Sequence, residues 1–334
     1  MRSYVYAERI GLDHLRPMER PDPVPGPHDV VLRMRAAALN FRDLAIARGH
    51  YHIQVSPPLV PLSDGAGEVV AVGGKVTRFR LGDLACPLYF PDWIDGPVGA
   101  RVARRRLGGP TDGVLSEMMC LNEEEAVRAP KHLDAAEAAT LPVAPLTAWN
   151  SLYQIGTVRP GESVVVQGTG GVSTAALQFA RAGGARTIAV VRGTRHEARL
   201  RQLGVCDVLT DGDAPDWPKR VLALVGGADV SVNVAGGDTL TRSISATRPG
   251  GKVHLVGYAA DTSASFDIFE AIRRATTVHI ATAGSRAAFE TMVRAMELHA
   301  IRPAISRDFP VEQIAAAFEC LQQGGHFGKV VVRF

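Results

Sequence analysis

A short apolar run, Ser163–Gln167, enters the glycine-rich turn Gly168-Thr169-Gly170-Gly171-Val172, and this junction constrains the fold more than any other stretch of the chain. The run reads SVVVQ, without polar alternation, which predicts a strand buried on both faces of a parallel sheet. A helix through Arg181 should follow. Apolar runs at Thr187–Val191, Val208, Asp229–Val234 and Lys252–Val256 then alternate with helical stretches at Glu197–Leu203 and Lys219–Val225. Such alternation implies right-handed βαβ units and a doubly wound parallel sheet of the Rossmann type. The last strand of the series, Thr277–Thr282, is rich in β-branched residues.

The turn itself suits a dinucleotide. Gly168 and Gly170 take the first two positions of G-x-G-x-x-G, and Ser173 replaces the third glycine. The first permits the tight turn and the second lets the backbone approach a pyrophosphate. The following helix offers its N-terminal amides to the phosphates. About 20 residues further on, an enzyme that uses NAD usually carries an acid for the ribose hydroxyls. Here the chain reads Val191-Arg192-Gly193-Thr194-Arg195-His196, with no acid. Arg192, Thr194 and Arg195 suit a 2′-phosphate instead, because a guanidinium binds phosphate bidentately. NADPH is therefore the expected cofactor; a solvated helix face at Arg195 and Arg199 is the alternative.

The flanks differ in texture. The first 130 residues are short β segments, such as Val30–Ala37 and Gly67–Val72, punctuated by proline and glycine, and a helix is expected at Asp134–Leu141. A helix at Ala287–His299 and a strand at Lys329–Phe334 close the chain. At 334 residues two domains are expected. The division predicted is a dinucleotide-binding domain, 131–284, inserted into a mostly β domain formed by 1–130 and 285–334. A net charge of +3 is too small to point to nucleic acid or a membrane surface. No apolar run approaches the roughly 20 residues of a membrane span, and the charged N-terminal stretch has no secretory core, so a cytoplasmic location is expected. The four cysteines, Cys86, Cys120, Cys206 and Cys320, lie far apart without a CxxC pair, which favours reduced thiols and no structural metal.

Four segments make the chain similar to a known family. They are AALNFRDLAIARGHY (Ala37–Tyr51), PLVPLSDGAGEVVAVG (Pro58–Gly73), LTAWNSLYQIGTVRPGESVVVQGTGGVS (Leu146–Ser173) and HFGKVVVRF (His326–Phe334). Through them the chain resembles the medium-chain dehydrogenase/reductase superfamily, in particular its zinc-independent, quinone-oxidoreductase-like branch. The resemblance implies a GroES-like catalytic domain around the Rossmann domain. It implies a homodimer paired through Thr277–Thr282, which would cover an exposed sheet edge.

Members with catalytic zinc carry Cys, His or Asp, and a second Cys at positions that match Asn40, Ser63 and Val143 here, with Asp64 where a Glu stands. Valine cannot ligate, and an amide with a hydroxyl is a poor zinc set, so no metal is expected. The resemblance then assigns hydrogen bonding of the acceptor oxygen to Asn40 and to Tyr51, a candidate proton donor; a second tyrosine of the family is Ala45 here. Asp64 is a further catalytic candidate, with capping of the adjacent turn as its alternative. Asp43 is expected to hold backbone or an arginine. Thr147, Gly257, Tyr258, Ala283, Gly284, Phe327 and Lys329 are implied to line the nicotinamide and its ribose. The run Arg101–Arg106 reads as a solvated face or as a basic rim for a phosphate-bearing or carrier-linked substrate.

The expected activity is hydride transfer from NADPH to an activated alkene, enone or enoyl, or to a quinone. A zinc-free alcohol dehydrogenase or carbonyl reductase is the rival, and an NADPH-binding protein without turnover is a third reading.

Overall fold

The structure, a computed structural model, describes residues 1–212 and 216–334, the side chain of Ala103 excepted. It divides into two units, Met1–Leu146 with Ala283–Phe334, and Thr147–Thr282. The segment 131–146, which the change of texture places with the middle of the chain, packs with the first unit. Asp134 caps the helix there, its Oδ1 accepting from Glu137 N at 2.8 Å while Glu137 reaches back to Asp134 N at 3.0 Å. The helix's fully buried Ala136, Ala138 and Ala139 are small enough to lie close against the first unit's sheet.

The first unit begins with an antiparallel pair, β1 (Arg2–Tyr6) and β2 (Leu15–Glu19). β3 (Asp29–Leu39), α1 (Phe41–Ala47), β4 (Asp64–Val72), β5 (Leu84–Pro87), β6 (Met118–Asn122), β7 (Ala126–Arg128) and α2 (Ala135–Ala139) follow. α3 (Ala144–Trp149) leads into the second unit and continues as a π-helical turn, Asn150–Ile155.

The second unit alternates β8 (Ser163–Gln167), α4 (Gly171–Ala182), β9 (Arg186–Val191), α5 (Glu197–Gln202), β10 (Asp207–Thr210), α6 (Trp217–Val225), β11 (Ala228–Asn233), α7 (Thr239–Ala246), β12 (Thr247–Leu255), α8 (Ile268–Arg274) and β13 (Thr277–Ile280). The chain then returns to the first unit with α9 (Arg286–Leu298), β14 (Ile305–Pro310), α10 (Ile314–Gln323) and β15 (Lys329–Arg333).

In the second unit the sheet order is β10-β9-β8-β11-β12-β13, all parallel. The order reverses between β8 and β11, the switch point at which open α/β sheets bind ligands beyond the strands' carboxyl ends. Val164, Val165 and Val166 of β8 are wholly buried, each worth roughly 1.5–3 kcal/mol relative to exposure.

The first unit's sheet runs β14-β15-β3-β4-β5-β7, with β6 also on β3. Its core includes Leu32, Met34, Leu39, Leu62, Val114, Phe318 and Val330. The register decides what meets at one end. β3 is antiparallel to both β4 and β15, with Ala38 opposite Asp64 and Leu39 opposite Val330. The residue just past β3, Asn40, therefore falls beside the first residues of β4 and β15, which are Asp64 and Lys329.

Candidate active site

Three buried polar side chains converge there. Lys329 Nζ donates to Asn40 Oδ1 and to Asp64 Oδ2, the latter at 2.9 Å. Asp64 is wholly buried and Lys329 is 5% exposed, so an unpaired charge on either would be costly. The second carboxylate oxygen, Asp64 Oδ1, has no hydrogen-bond partner among the described residues. Burial pushes the Asp64 carboxyl above its ordinary range, against the pull of Lys329. Asn40 Nδ2 lies 3.5 Å from Ser63 Oγ, a long contact.

The backbone of Asn40 is fixed by the helix that follows. Asn40 N donates to Asp43 Oδ2 at 2.8 Å, and Asp43 Oδ1 accepts from Arg42 Nη1 at 3.2 Å. Asp43 thus holds both backbone and an arginine. Its carboxyl is pushed up to about 6, because burial outweighs Arg42. The Arg42 guanidinium also donates to Leu107 O (3.1 Å) and Gly109 O (3.0 Å), and lies 5.2 and 5.0 Å from the Tyr51 and Tyr89 ring centres. Tyr51 is half-buried and lies against that cation. Tyr89 and Arg42 carry no flag in the sequence, since their packing exists only in the folded unit. Burial raises the Tyr89 phenol above its ordinary range.

A zinc ion does not suit this set. Asn40, Ser63 and Asp64 supply an amide, a hydroxyl and a carboxylate already paired with Lys329, while Val143 packs against Tyr89, Phe90, Trp93, Val102 and Ala283. Among the described residues no group of three or more His, Cys, Asp or Glu is arranged to hold a metal ion. The four cysteines are free thiols.

In the second unit the glycine-rich turn has the features a pyrophosphate needs. Gly168 adopts φ +76°, open to glycine at little cost. A Cβ on Gly170 would meet nothing within 4 Å, so the backbone there is open to close approach. Ser173, in the third glycine's place, faces inward and donates to Gln167 O at 2.6 Å, tying α4 to β8. Gly170 begins α4 with no side-chain cap, which leaves the first amides to a ligand. Thr169, Gly171 and Val172 are partly exposed along the same turn. These residues fit a dinucleotide.

Arg192, Thr194 and Arg195 are exposed after β9, and among the described residues neither arginine forms an ion pair. Gly257, just past β12, packs so closely on the residue past β11 that a Cβ would lie 2.2 Å from Val234 O, and Tyr258 beside it is half-buried. Thr147 is buried on α3. Ala283, Gly284, Phe327 and Lys329, expected near the nicotinamide, are buried in the first unit. In the arginine run, Arg105 is held internally by Asp92 (2.9 Å) and Glu125 (2.8 Å), and Arg106 by His52 and Phe90; Arg101 and Arg104 remain exposed.

Comparison with known proteins places this architecture. Residues 26–131 match the family model described as alcohol dehydrogenase GroES-like domain, and 171–297 match zinc-binding dehydrogenase. A zinc-type alcohol dehydrogenase-like protein of Schizosaccharomyces pombe is 34% identical, over 100% of this chain and 99% of its own. The crystal structure of a putative alcohol dehydrogenase from Sinorhizobium meliloti 1021 superposes with a TM-score of 0.93 at 38% identity, over 100% and 98% of the two chains. A 2-octenoyl-CoA carboxylase reductase, solved with NADP and 2-octenoyl-CoA, superposes with a TM-score of 0.83 at 26% identity, over 96% and 82%. The chain belongs to the medium-chain dehydrogenase/reductase superfamily and is a nicotinamide-dependent oxidoreductase.

Proposed function

We propose that this oxidoreductase uses NADPH, without zinc, to reduce an alkene conjugated to a carbonyl, or a quinone. The observation that carries the reading is the buried Lys329–Asn40–Asp64 group, which presents hydrogen-bond donors where zinc-dependent relatives need metal ligands. Bound NADPH supplies the hydride. Asn40 Nδ2 donates to the carbonyl oxygen as negative charge gathers there, the kind of preorganised donor that most lowers such barriers. The Tyr51 hydroxyl returns a proton to the carbon next to that carbonyl. The turn Gly168–Val172 and α4 bind the pyrophosphate, and Arg192, Thr194 and Arg195 take the 2′-phosphate. The relative solved with NADP and an enoyl-CoA supports both cofactor and substrate class.

Titration of EDTA-treated protein with NADPH and NADH, then an NADPH-oxidation assay against 2-cyclohexenone and a quinone, tests the whole reading. NADPH should bind at least about tenfold more tightly, a difference of about 1.4 kcal/mol, and be consumed without added zinc. Arg192→Ala/Arg195→Ala should erase the preference while leaving NADH affinity unchanged. NADH preferred by the wild type, or activity that requires zinc, would sink it. The alcohol dehydrogenase relatives favour a second reading, carbonyl reduction. Its sign would be cyclohexenone reduced at C=O with the alkene intact. NADPH bound but never consumed would mark a protein without turnover.

The chain is also proposed to pair with a second copy. β13 stands at the sheet edge with Ile280 74% exposed, and Phe269 of the adjacent α8 is 84% exposed. Ile280→Asp should convert a dimer to a monomer by light scattering at micromolar concentration; a monomeric wild type refutes the pairing.

A further inference from the structure

We propose that Lys329 is a positioning residue that sets which way the Asn40 carboxamide points, keeping its Nδ2 as the donor offered to the substrate oxygen. This rests on the reading above, in which Asn40 receives that oxygen.

A carboxamide has nearly the same shape either way round, but one end only donates and the other only accepts. A half-turn about its last bond would present the wrong end to a developing negative charge. The backbone bears on that turn only weakly. Asn40 N is anchored to Asp43 Oδ2, which fixes the main chain, and the Asn40 side chain faces Asp43 N across the capping box without a full cap hydrogen bond. Ser63 Oγ cannot prevent the half-turn, because a hydroxyl both donates and accepts, and at 3.5 Å it is distant.

Lys329 is different. Its ammonium carries three donors and no acceptor. One proton goes to Asp64 Oδ2, which holds the ammonium in place, and another meets Asn40 Oδ1. Flipping the amide would put its own N–H groups against a buried cation, losing a charge-assisted hydrogen bond and adding repulsion. The strand register supplies the lysine: with Ala38 opposite Asp64 and Leu39 opposite Val330, the neighbours Asn40 and Lys329 are brought together whatever occupies the cofactor site. The rival role for Lys329 is contact with the cofactor, and the experiment separates the two.

One readout needs no turnover. The chain has four asparagines, Asn40, Asn122, Asn150 and Asn233, so asparagine-selective ¹⁵N labelling gives a short set of side-chain amide signals. In Lys329→Met the Asn40 pair, identified by its loss in Asn40→Ala, should shift and broaden while the other pairs stay in place. Lys329→Arg, which keeps charge and donors, should restore it. With saturating NADPH and 2-cyclohexenone, kcat should fall about 100-fold in Lys329→Met, the scale of one misdirected donor. Asn40→Ala/Lys329→Met should be within about threefold of Asn40→Ala, since the lysine acts through that amide.

If Lys329→Met fails to fold because Asp64 is stranded, Lys329→Met/Asp64→Leu, which adds no labelled amide, carries the same measurements. An Asn40 pair indifferent to the loss of Lys329 overturns the proposal. So does a defect confined to NADPH affinity, with kcat at saturation kept within about threefold, which would make the lysine a cofactor ligand. Wild-type protein that leaves NADPH unconsumed with every enone and quinone tested overturns the function reading instead, and the amide spectrum still decides the role of Lys329.

Discussion

Asn40→Ala should lower kcat for NADPH-dependent reduction by about 10²–10³-fold, roughly 3–4 kcal/mol of lost barrier stabilisation, the range measured when one preorganised donor is removed. Affinity for NADPH should be unchanged, because Asn40 is proposed to receive the substrate oxygen while the proposed phosphate contacts lie on the glycine turn of the second unit. The defect belongs to the charge that gathers on the substrate oxygen, so it should appear in kcat rather than in cofactor binding. Stopped-flow oxidation of NADPH at saturating acceptor measures it. A variant that keeps more than about a tenth of wild-type kcat would show that the oxygen is received elsewhere, and Tyr51 would become the first candidate. Asn40→Asp is a sharper control: it keeps the size and the contact with Lys329 but turns the donor into an acceptor, and should be no more active than the alanine variant.

Arg42→Met should lower the stability of the protein by about 3–5 kcal/mol at pH 7.5, as expected when one partner of a buried ion pair is removed. Asp43 would lose its cation, and Leu107 O and Gly109 O would lose their donors. The deficit should shrink at pH 5, and the sign follows from Asp43. Its folded value, about 6, lies above the ordinary 3.8. A raised carboxyl favours the folded state fully below the unfolded value, and that advantage is lost as pH rises through the folded one. Above pH 6 the wild type holds an ionised Asp43 against Arg42, so the variant suffers most there. Near pH 5 Asp43 is largely protonated in both proteins, and the cation matters less. Urea denaturation at the two pH values measures this. Equal deficits would assign the loss to the carbonyl contacts and ring packing instead of the ion pair.

The second unit was the more legible part of the chain. SVVVQ announced a doubly buried strand, and Ser163–Gln167 is that strand to the residue. α7 and α8 gave no comparable signal. TLTRSISA is half hydroxyl residues, so its stripe of Leu240, Ile244 and Ala246 is short, and IFEAIRR keeps most of its apolar side chains exposed. Asn40 and Asp64 stood out because a zinc site would have needed other residues in those positions. The role of Lys329 could not be read in the same way. Nothing near it in sequence predicts a carboxylate partner, and its assignment to the nicotinamide came from resemblance alone. What brings it to Asp64 is the antiparallel register of β15 on β3 and of β3 on β4, a property of the assembled sheet. Arg42 and Tyr89 were silent for the same reason.

That pairing across the sheet has a consequence for biosynthesis. Asp64 and Lys329 are 265 residues apart, and at about 5–20 residues per second a ribosome needs roughly 13–53 s to make the second after the first. All six strands of the inserted sheet emerge in that interval and can assemble from a continuous stretch of nascent chain. The first unit cannot settle over the same interval, because its central strand still lacks a neighbour and Asp64 still lacks its cation. The order of completion is therefore built into the insertion: the inserted sheet matures first, and the buried Lys329–Asn40–Asp64 group is completed last.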